Sequence, residues 1–294
     1  MFPAAFDYVP ARSIEEALTA LAAHGGDARV LAGGQSLIPA MRLRLARPSV
    51  LVDINRIAEL DAIDETGGEL RIRAGARDRA LEICAPLRAG RYPMLADVCA
   101  VVADPVVRQM GTVVGSLCHN DPSGDWPVAA LASDASVVVR GKAGERVVPL
   151  REFLVDSFTT AVGDGEMALE VRFPVPMPRS AGAYLKIERK VGDFATAAAA
   201  VRVTLAQDGT VESASIALGA AGPTAVRVGE AERALTGTQP SNATIAAAAD
   251  AARTAADPAA DTRGTVAFKK AMAGVLVERA LRKAFARLGM EDMA

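Results

Sequence analysis

Cysteine and histidine are scarce in this 294-residue sequence, and their scarcity removes whole classes of chemistry. The three cysteines, Cys84, Cys99 and Cys118, form no C-x-x-C pair. So odd and sparse a set supplies neither a disulfide framework nor a four-cysteine iron–sulfur cluster from this chain alone. His24 and His119 are the only histidines, which excludes a zinc site with several histidine ligands. An excess of one charge is lacking too. The 33 Lys and Arg stand against 35 Asp and Glu, giving no electrostatic case for nucleic acid or an anionic membrane. No apolar run reaches the roughly 18–20 residues that span a bilayer, so no transmembrane segment is expected. The opening Met1-Phe2-Pro3-Ala4 has neither the basic region nor the long apolar stretch of a signal peptide, and a cytoplasmic chain is the expectation. An enzyme with so little redox or metal-binding equipment of its own takes its chemistry from an organic cofactor.

What is present is apolar: 51% of the residues, enough for a sizeable core in two or three lobes. Ser13-Ile14-Glu15-Glu16 reads as a capping box opening a helix that ends near His24-Gly25-Gly26. Residues 29–32, 50–54 and 69–74 read as strands, and 78–110 as mainly helical, punctuated by Pro86, Pro93 and Pro105. Pro127 suits the first turn of a helix through Ala132, and Gly141-Lys142-Ala143-Gly144 joins two strands as a hairpin. After the proline-rich connector 173–178 come strands at 184–189, 197–206 and 211–217, the last two joined across Asp208-Gly209. Helices over 243–256 and 265–288 close the chain. The pattern is α+β.

Two glycine-rich turns about eighty residues apart carry the strongest chemical signal. One is Ala32-Gly33-Gly34-Gln35-Ser36; the other is Thr112-Val113-Val114-Gly115-Ser116. Each offers closely spaced backbone N–H groups and a small hydroxyl, the makings of an anion cradle where the backbone must approach a phosphate. An ordinary tight turn is the plainer reading of either alone. Two together suit the two phosphates of a dinucleotide held between lobes, with Ser36 starting a short helix that faces them. No third glycine completes a Rossmann fingerprint, and Gly163-Asp164-Gly165-Glu166-Met167-Ala168 runs into a strand instead of a helix. Asp125 suits either a ribose or adenine contact or the N-cap of the helix it precedes. Lys186 and Glu188 share one face of a strand, which either points Lys186 into an interlobe cleft or leaves both as surface charges. His119 reads as a hydrogen-bonding loop residue, and Cys118 as a small packed side chain with no base nearby.

Taken in order, these two turns, Asp121-Pro122 with Asp125, and Lys186…Arg189…Gly192-Asp193-Phe194-Ala195 resemble the medium, FAD-binding subunit of the molybdenum hydroxylases. That family includes aerobic carbon monoxide dehydrogenase and xanthine dehydrogenase. The resemblance spans nearly the whole chain. It implies a two-lobed FAD-binding domain of the PCMH type at 1–176, with lobes of about 1–55 and 56–176. A C-terminal domain of antiparallel sheet and helices follows at 177–294. It implies that both turns hold the FAD diphosphate through Ala32, Gly33, Gly34, Gln35 and Ser36 and through Thr112, Val114, Gly115 and Ser116. Asp125 and Lys186 are expected near the cofactor, with no catalytic residue and no metal ligand on this chain.

The implied partners are a small iron–sulfur subunit and a large subunit carrying the molybdenum cofactor, in a dimer of heterotrimers. Electrons pass from the clusters through FAD to a terminal acceptor, and the substrate binds on another chain. The sequence lacks the cysteine-bearing insertion of the benzoyl-CoA-reducing branch. In one respect it departs from the pattern: Val114 stands where the second turn usually has a glycine. A β-branched residue disfavours positive φ, so that turn is expected to use another conformation or to bind FAD less tightly. Two alternatives differ in kind: a stand-alone flavin oxidase with FAD attached to His24 or His119, and a flavin-free scaffold that keeps the fold.

Overall fold

The computed structural model describes residues 2–290. The first lobe runs β1 (Asp7–Pro10), α1 (Ile14–His24), β2 (Ala28–Leu31), α2 (Leu37–Arg42) and β3 (Val50–Asp53). Ser13 caps α1 by accepting from the Glu16 amide at 3.1 Å, while Glu16 accepts from the Arg12 amide at 2.7 Å. The helix turns Ile14, Ala17 and Leu21 inward. The three strands are parallel in the order β1-β3-β2, and all four residues of the central β3 are buried. A parallel strand covered on both faces reads as a continuous apolar run, as Val50-Leu51-Val52 does.

The second lobe begins with β4 (Ile63–Thr66) and β5 (Glu69–Arg73). The expected helical stretch 78–110 is four short helices: α3 (Asp78–Ile83), α4 (Ala85–Arg88), α5 (Pro93–Val101) and α6 (Pro105–Arg108). Pro86, Pro93 and Pro105 each occupy a first turn, where the missing N–H costs nothing, so each proline restarts a helix. Next come α7 (Val113–His119), α8 (Asp125–Ala132), the hairpin β6 (Ser136–Gly141) and β7 (Gly144–Pro149), α9 (Leu150–Phe153), the small pair β8 (Leu154–Asp156) and β9 (Thr159–Thr160), and β10 (Met167–Pro174). The antiparallel sheet has the order β4-β5-β10-β6-β7. Its inner face, with Ile72, Val137 and Val171, joins Leu95, Val98, Leu117 and Trp126 of the helices in one core.

The C-terminal part is β11 (Ser180–Ile187), β12 (Ala197–Leu205), β13 (Val211–Gly219), β14 (Val226–Arg227), α10 (Gly229–Leu235), α11 (Asn242–Ala255) and α12 (Val266–Arg287). Its antiparallel sheet is covered on both faces. Tyr184, Ala200 and Ala217 lie in register and face the core of the second lobe, while Ala183, Val201 and Ile216 face the helices. Small residues on the inner face let the sheet lie close: a Cβ on Gly219 would come within 2.6 Å of Val128. Two ion clusters fasten this interface. Asp97 of α5 accepts from Lys283 and Arg287 of α12, each at 2.8 Å, and Asp134 accepts from Arg202 and Arg227. Burial opposes the Asp97 charge, yet these bonds and the Tyr184 amide hold its carboxyl below the usual carboxylate range.

Candidate functional site

Strands β2 and β3 end side by side, Leu31 opposite Asp53, and the first glycine turn leaves from that carboxyl edge. Ligand sites of parallel sheets form at such edges. Gly34 takes φ +71°, which a side chain rarely adopts, and Ser36 then leads into α2 as expected. Gly33 is required for a different reason. A Cβ there would lie 2.9 Å from the Met110 carbonyl carbon, 3.0 Å from Gly111 Cα and closer still to the Met110 oxygen. The first turn is thus seated directly on the chain that enters the second. The first turn therefore lies backbone against backbone on Met110 and Gly111, immediately before the second segment.

The second segment is not a turn. Thr112 is the N-cap of α7, its hydroxyl accepting from the Gly115 amide at 3.0 Å, and the Ser116 amide bonds the Thr112 carbonyl at 3.0 Å. Val114 sits in the first helical turn with its side chain buried, and it is absent from the positive-φ residues. The segment thus uses another conformation, as expected of a β-branched residue there: α-helical φ suits valine, and the Gly115 amide of the first turn is taken up by the Thr112 cap. Gly115 and Ser116 remain half-exposed.

Beside the first turn opens a cleft of about 410 Å³, lined by Ala32, Gly33, Gly34, Gln35, Arg42, Asn55 and Met110 among others; Ser36 and the second segment, Thr112 to Ser116, do not line it. No lining residue is acidic. Backbone amides, a guanidinium and amide side chains at a glycine surface with no carboxylate form a donor set suited to an anionic diphosphate.

Asp125 and Lys186 come together but do not line this cleft. Asp125 is the first residue of α8, whose N-cap is Gly124, so it is not the cap. Its carboxylate accepts from Tyr184 Oη at 2.5 Å and Lys186 Nζ at 3.2 Å. Lys186 Nζ also lies 3.0 Å from Glu188 and donates to the Asp193 carbonyl at 2.9 Å. With its side chain 2% exposed, Lys186 is neither a surface charge nor open to an interlobe cleft. Three oxygen partners compensate its burial and tie β11 to α8. Burial raises the Asp125 pKa, against the pull of Lys186 and Tyr184.

Sequence reasoning missed Asp78, Asn55 and Arg77. Asp78 opens α3 under the second segment: its amide donates to the Gly111 carbonyl at 2.9 Å, and Trp126 Nε1 donates to its Oδ1 at 3.0 Å. Burial pushes its carboxyl up to about 7, partly offset by the Trp126 bond. Neither histidine lies at the cleft. His24 ends α1, the whole of β2, about 13 Å, before the first turn. His119 ends α7 away from Thr112, against the Phe158 ring at 5.2 Å, and burial lowers its pKa. Burial also pushes the Cys118 thiol up to about 12, as expected of a packed, unreactive side chain. Among the described residues no group of His, Cys, Asp and Glu is arranged to hold a metal ion.

Comparison with known proteins agrees with this geometry. Residues 4–176 match the family described as the FAD binding domain in molybdopterin dehydrogenase, and residues 182–284 the CO dehydrogenase flavoprotein C-terminal domain. The chain is 40% identical to the carbon monoxide dehydrogenase medium chain of Hydrogenophaga pseudoflava, over 98% of this chain and 99% of that one. It is 39% identical to the 6-hydroxypseudooxynicotine dehydrogenase complex subunit alpha of Paenarthrobacter nicotinovorans, over 98% and 97%. A solved structure of carbon monoxide dehydrogenase from Hydrogenophaga pseudoflava superposes with a TM-score of 0.94 at 41% identity, covering 98% of this chain and 99% of that one. With its glycine-seated cleft, its α+β fold and its full-length likeness to these medium chains, the chain belongs to the FAD-binding medium-subunit family of the molybdenum hydroxylases, as an oxidoreductase component.

Proposed function

We propose that this chain relays electrons within a molybdenum hydroxylase complex. They enter from iron–sulfur clusters on a small partner subunit, which receives them from a molybdenum cofactor on a large one, and leave through FAD to a terminal acceptor. FAD, when bound, supplies a redox centre that accepts electrons singly and passes them on. The observation that supports the reading is the seating of Gly33 on Met110 and Gly111, which brings the first turn against the chain that leads into the second segment.

In this reading Ala32 to Ser36 hold one side of the diphosphate, and Thr112, Val114, Gly115 and Ser116 at the start of α7 hold the other; the Gly115 and Ser116 amides are engaged with Thr112, so the contact is assigned to the Val114 amide and the Ser116 hydroxyl. Asp125 and Lys186 act from beneath, keeping α8 against β11 so that the second segment does not shift. The FAD-binding part ends at residue 176, where β10 has closed its sheet, and the C-terminal domain covers its helices. No side chain on this chain performs bond chemistry. Relatives at 40% and 39% identity carry names with different substrates, which accords with a substrate site on the large subunit. No helix among the described residues is long and apolar enough to cross a membrane.

The test is an absorption spectrum of the purified chain in the near-ultraviolet and visible, before and after adding FAD and desalting. Paired flavin bands that survive desalting and bleach when partner subunits and substrate are supplied are expected. A chain that stays colourless both alone and in the assembled complex would overturn the reading in favour of a flavin-free scaffold. Flavin that stays with acid-precipitated protein would point to a covalently flavinylated oxidase.

A further inference from the structure

The cleft is held at its width by two side chains outside either glycine segment. Asn55 follows β3 in the first lobe. Its Nδ2 donates to the Ala32 carbonyl at 3.0 Å, and its amide donates to Asp53 at 2.8 Å, which fixes it to the first turn. Arg77 belongs to the second lobe, and its backbone bridges to Thr112, the cap of α7. From there its guanidinium crosses to the first lobe. Nη1 donates to the Met110 carbonyl at 2.8 Å and Nη2 to Asn55 Oδ1 at 2.5 Å. The Met110 carbonyl is the group against which Gly33 is seated. One continuous path, Ala32–Asn55–Arg77–Met110, therefore stitches the two segments together.

Both acceptors of Arg77 are neutral oxygens, and among the described residues no ion pair neutralises it, so its charge adds to the positive field of the adjacent cleft. A planar fork suits this geometry: two donors held in fixed relation reach two acceptors on different lobes.

We propose that Arg77 and Asn55 form a clasp that sets the spacing of the two segments, making Arg77 a positioning residue for a diphosphate-bearing ligand. The proposal rests on the FAD reading of the cleft. The clasp acts on the diphosphate cradle and not on the isoalloxazine end, so it governs how tightly the cofactor is held and not what the flavin does.

The experiment titrates the flavin-free full chain with FAD by fluorescence, then with ADP by displacement, for the wild type, Arg77→Ala, Asn55→Ala, the double variant and Arg77→Lys. Each alanine variant is expected to raise the FAD Kd about tenfold. The double variant should be no worse than either single, because all three break the same path. ADP, which shares the diphosphate, should weaken by the same factor, and Arg77→Lys, which reaches one acceptor, should recover part of the loss. Melting of the flavin-free variants should stay close to wild type, whereas a merely structural role would move it. FAD and ADP affinities unchanged in Arg77→Ala would overturn the clasp. So would single losses that multiply in the double variant, or a loss matched by a general drop in melting temperature. Failure of the unsubstituted chain to bind FAD, alone or in its complex, would instead remove the flavin reading, and the clasp with it.

Discussion

The close seating of Gly33 can be tested with one methyl group. In Gly33→Ala the new Cβ would lie 2.9 Å from the Met110 carbonyl carbon and 3.0 Å from Gly111 Cα, both backbone atoms that no rotamer change can clear. Ordinary contact lies near 3.5–4.0 Å, so the segments must part by about an ångström. Overpacking of this kind costs about 1–3 kcal/mol. Part of that cost disappears in the flavin-free chain, whose lobes can relax. In the proposed reading the cofactor rests on both segments at their proper spacing, so the cost falls on binding, as a Kd raised by about tenfold to a hundredfold. Gly34→Ala supplies the contrast. Its Cβ meets only the Ile38 and Leu31 side chains at 3.2 Å, but φ is +71°, so its penalty is the smaller one of a left-handed alanine, about 1 kcal/mol. FAD titration and calorimetric melting of both variants decide the matter. Wild-type affinity in Gly33→Ala, or a greater loss in Gly34→Ala, would mean that close approach is not what glycine provides at residue 33.

Asp78, raised from 3.8 to about 7, holds a proton in the folded chain that the unfolded chain releases. Its contribution is therefore full below about pH 4 and is lost as pH rises towards 7, by roughly 4 kcal/mol at most. Asp78→Asn keeps an acceptor for Trp126 and should melt above wild type at about pH 8 but alongside it at about pH 4; parallel pH profiles would refute the assignment. Lys186→Met leaves the buried Asp125 and the half-buried Glu188 without their cation and should cost about 3–5 kcal/mol in urea unfolding, part of it restored by adding Asp125→Asn. A Lys186→Met chain as stable as wild type would remove the case for that ion pair. Val114→Gly removes a buried side chain from α7 and adds a helical glycine, a loss of about 3 kcal/mol with no gain in FAD affinity. Tighter FAD binding at unchanged stability would contradict the helical reading of that segment.

Local signals were legible where they have local causes. Ser13 and Glu16 cap α1 because a capping box needs only four residues, and the last long helix begins after the Thr265 cap because its apolar spacing persists for six turns. The prolines of 78–110 were visible as punctuation, but their preference for first turns makes them helix starts. Pairing of the two glycine segments was legible as a chemical match. Its cause was not, since nothing local to Gly33 says that Met110 will lie against it. Val114 signalled correctly that the segment departs from a positive-φ turn, but not that the Thr112 cap makes it a helix. Asp78, Asn55 and Arg77 belong to no motif, and each matters through a partner more than twenty residues away. Lys186 was found by its strand face, but its burial depends on Asp125, which sits on another domain.

Strand β10 lies between β5 and β6 although it is made after both. Its two neighbours leave the ribosome long before it, each with an open edge that a foreign strand can occupy. The last strand synthesised in this domain is therefore the one that closes it, and until residues 167–174 insert, the sheet of the second lobe consists of two unjoined halves. Completion of the second lobe is thereby timed to the end of the domain's synthesis, and a transcript or protease product that stops short of β10 keeps the β1-β3-β2 sheet behind the first turn but not the joined sheet behind α7.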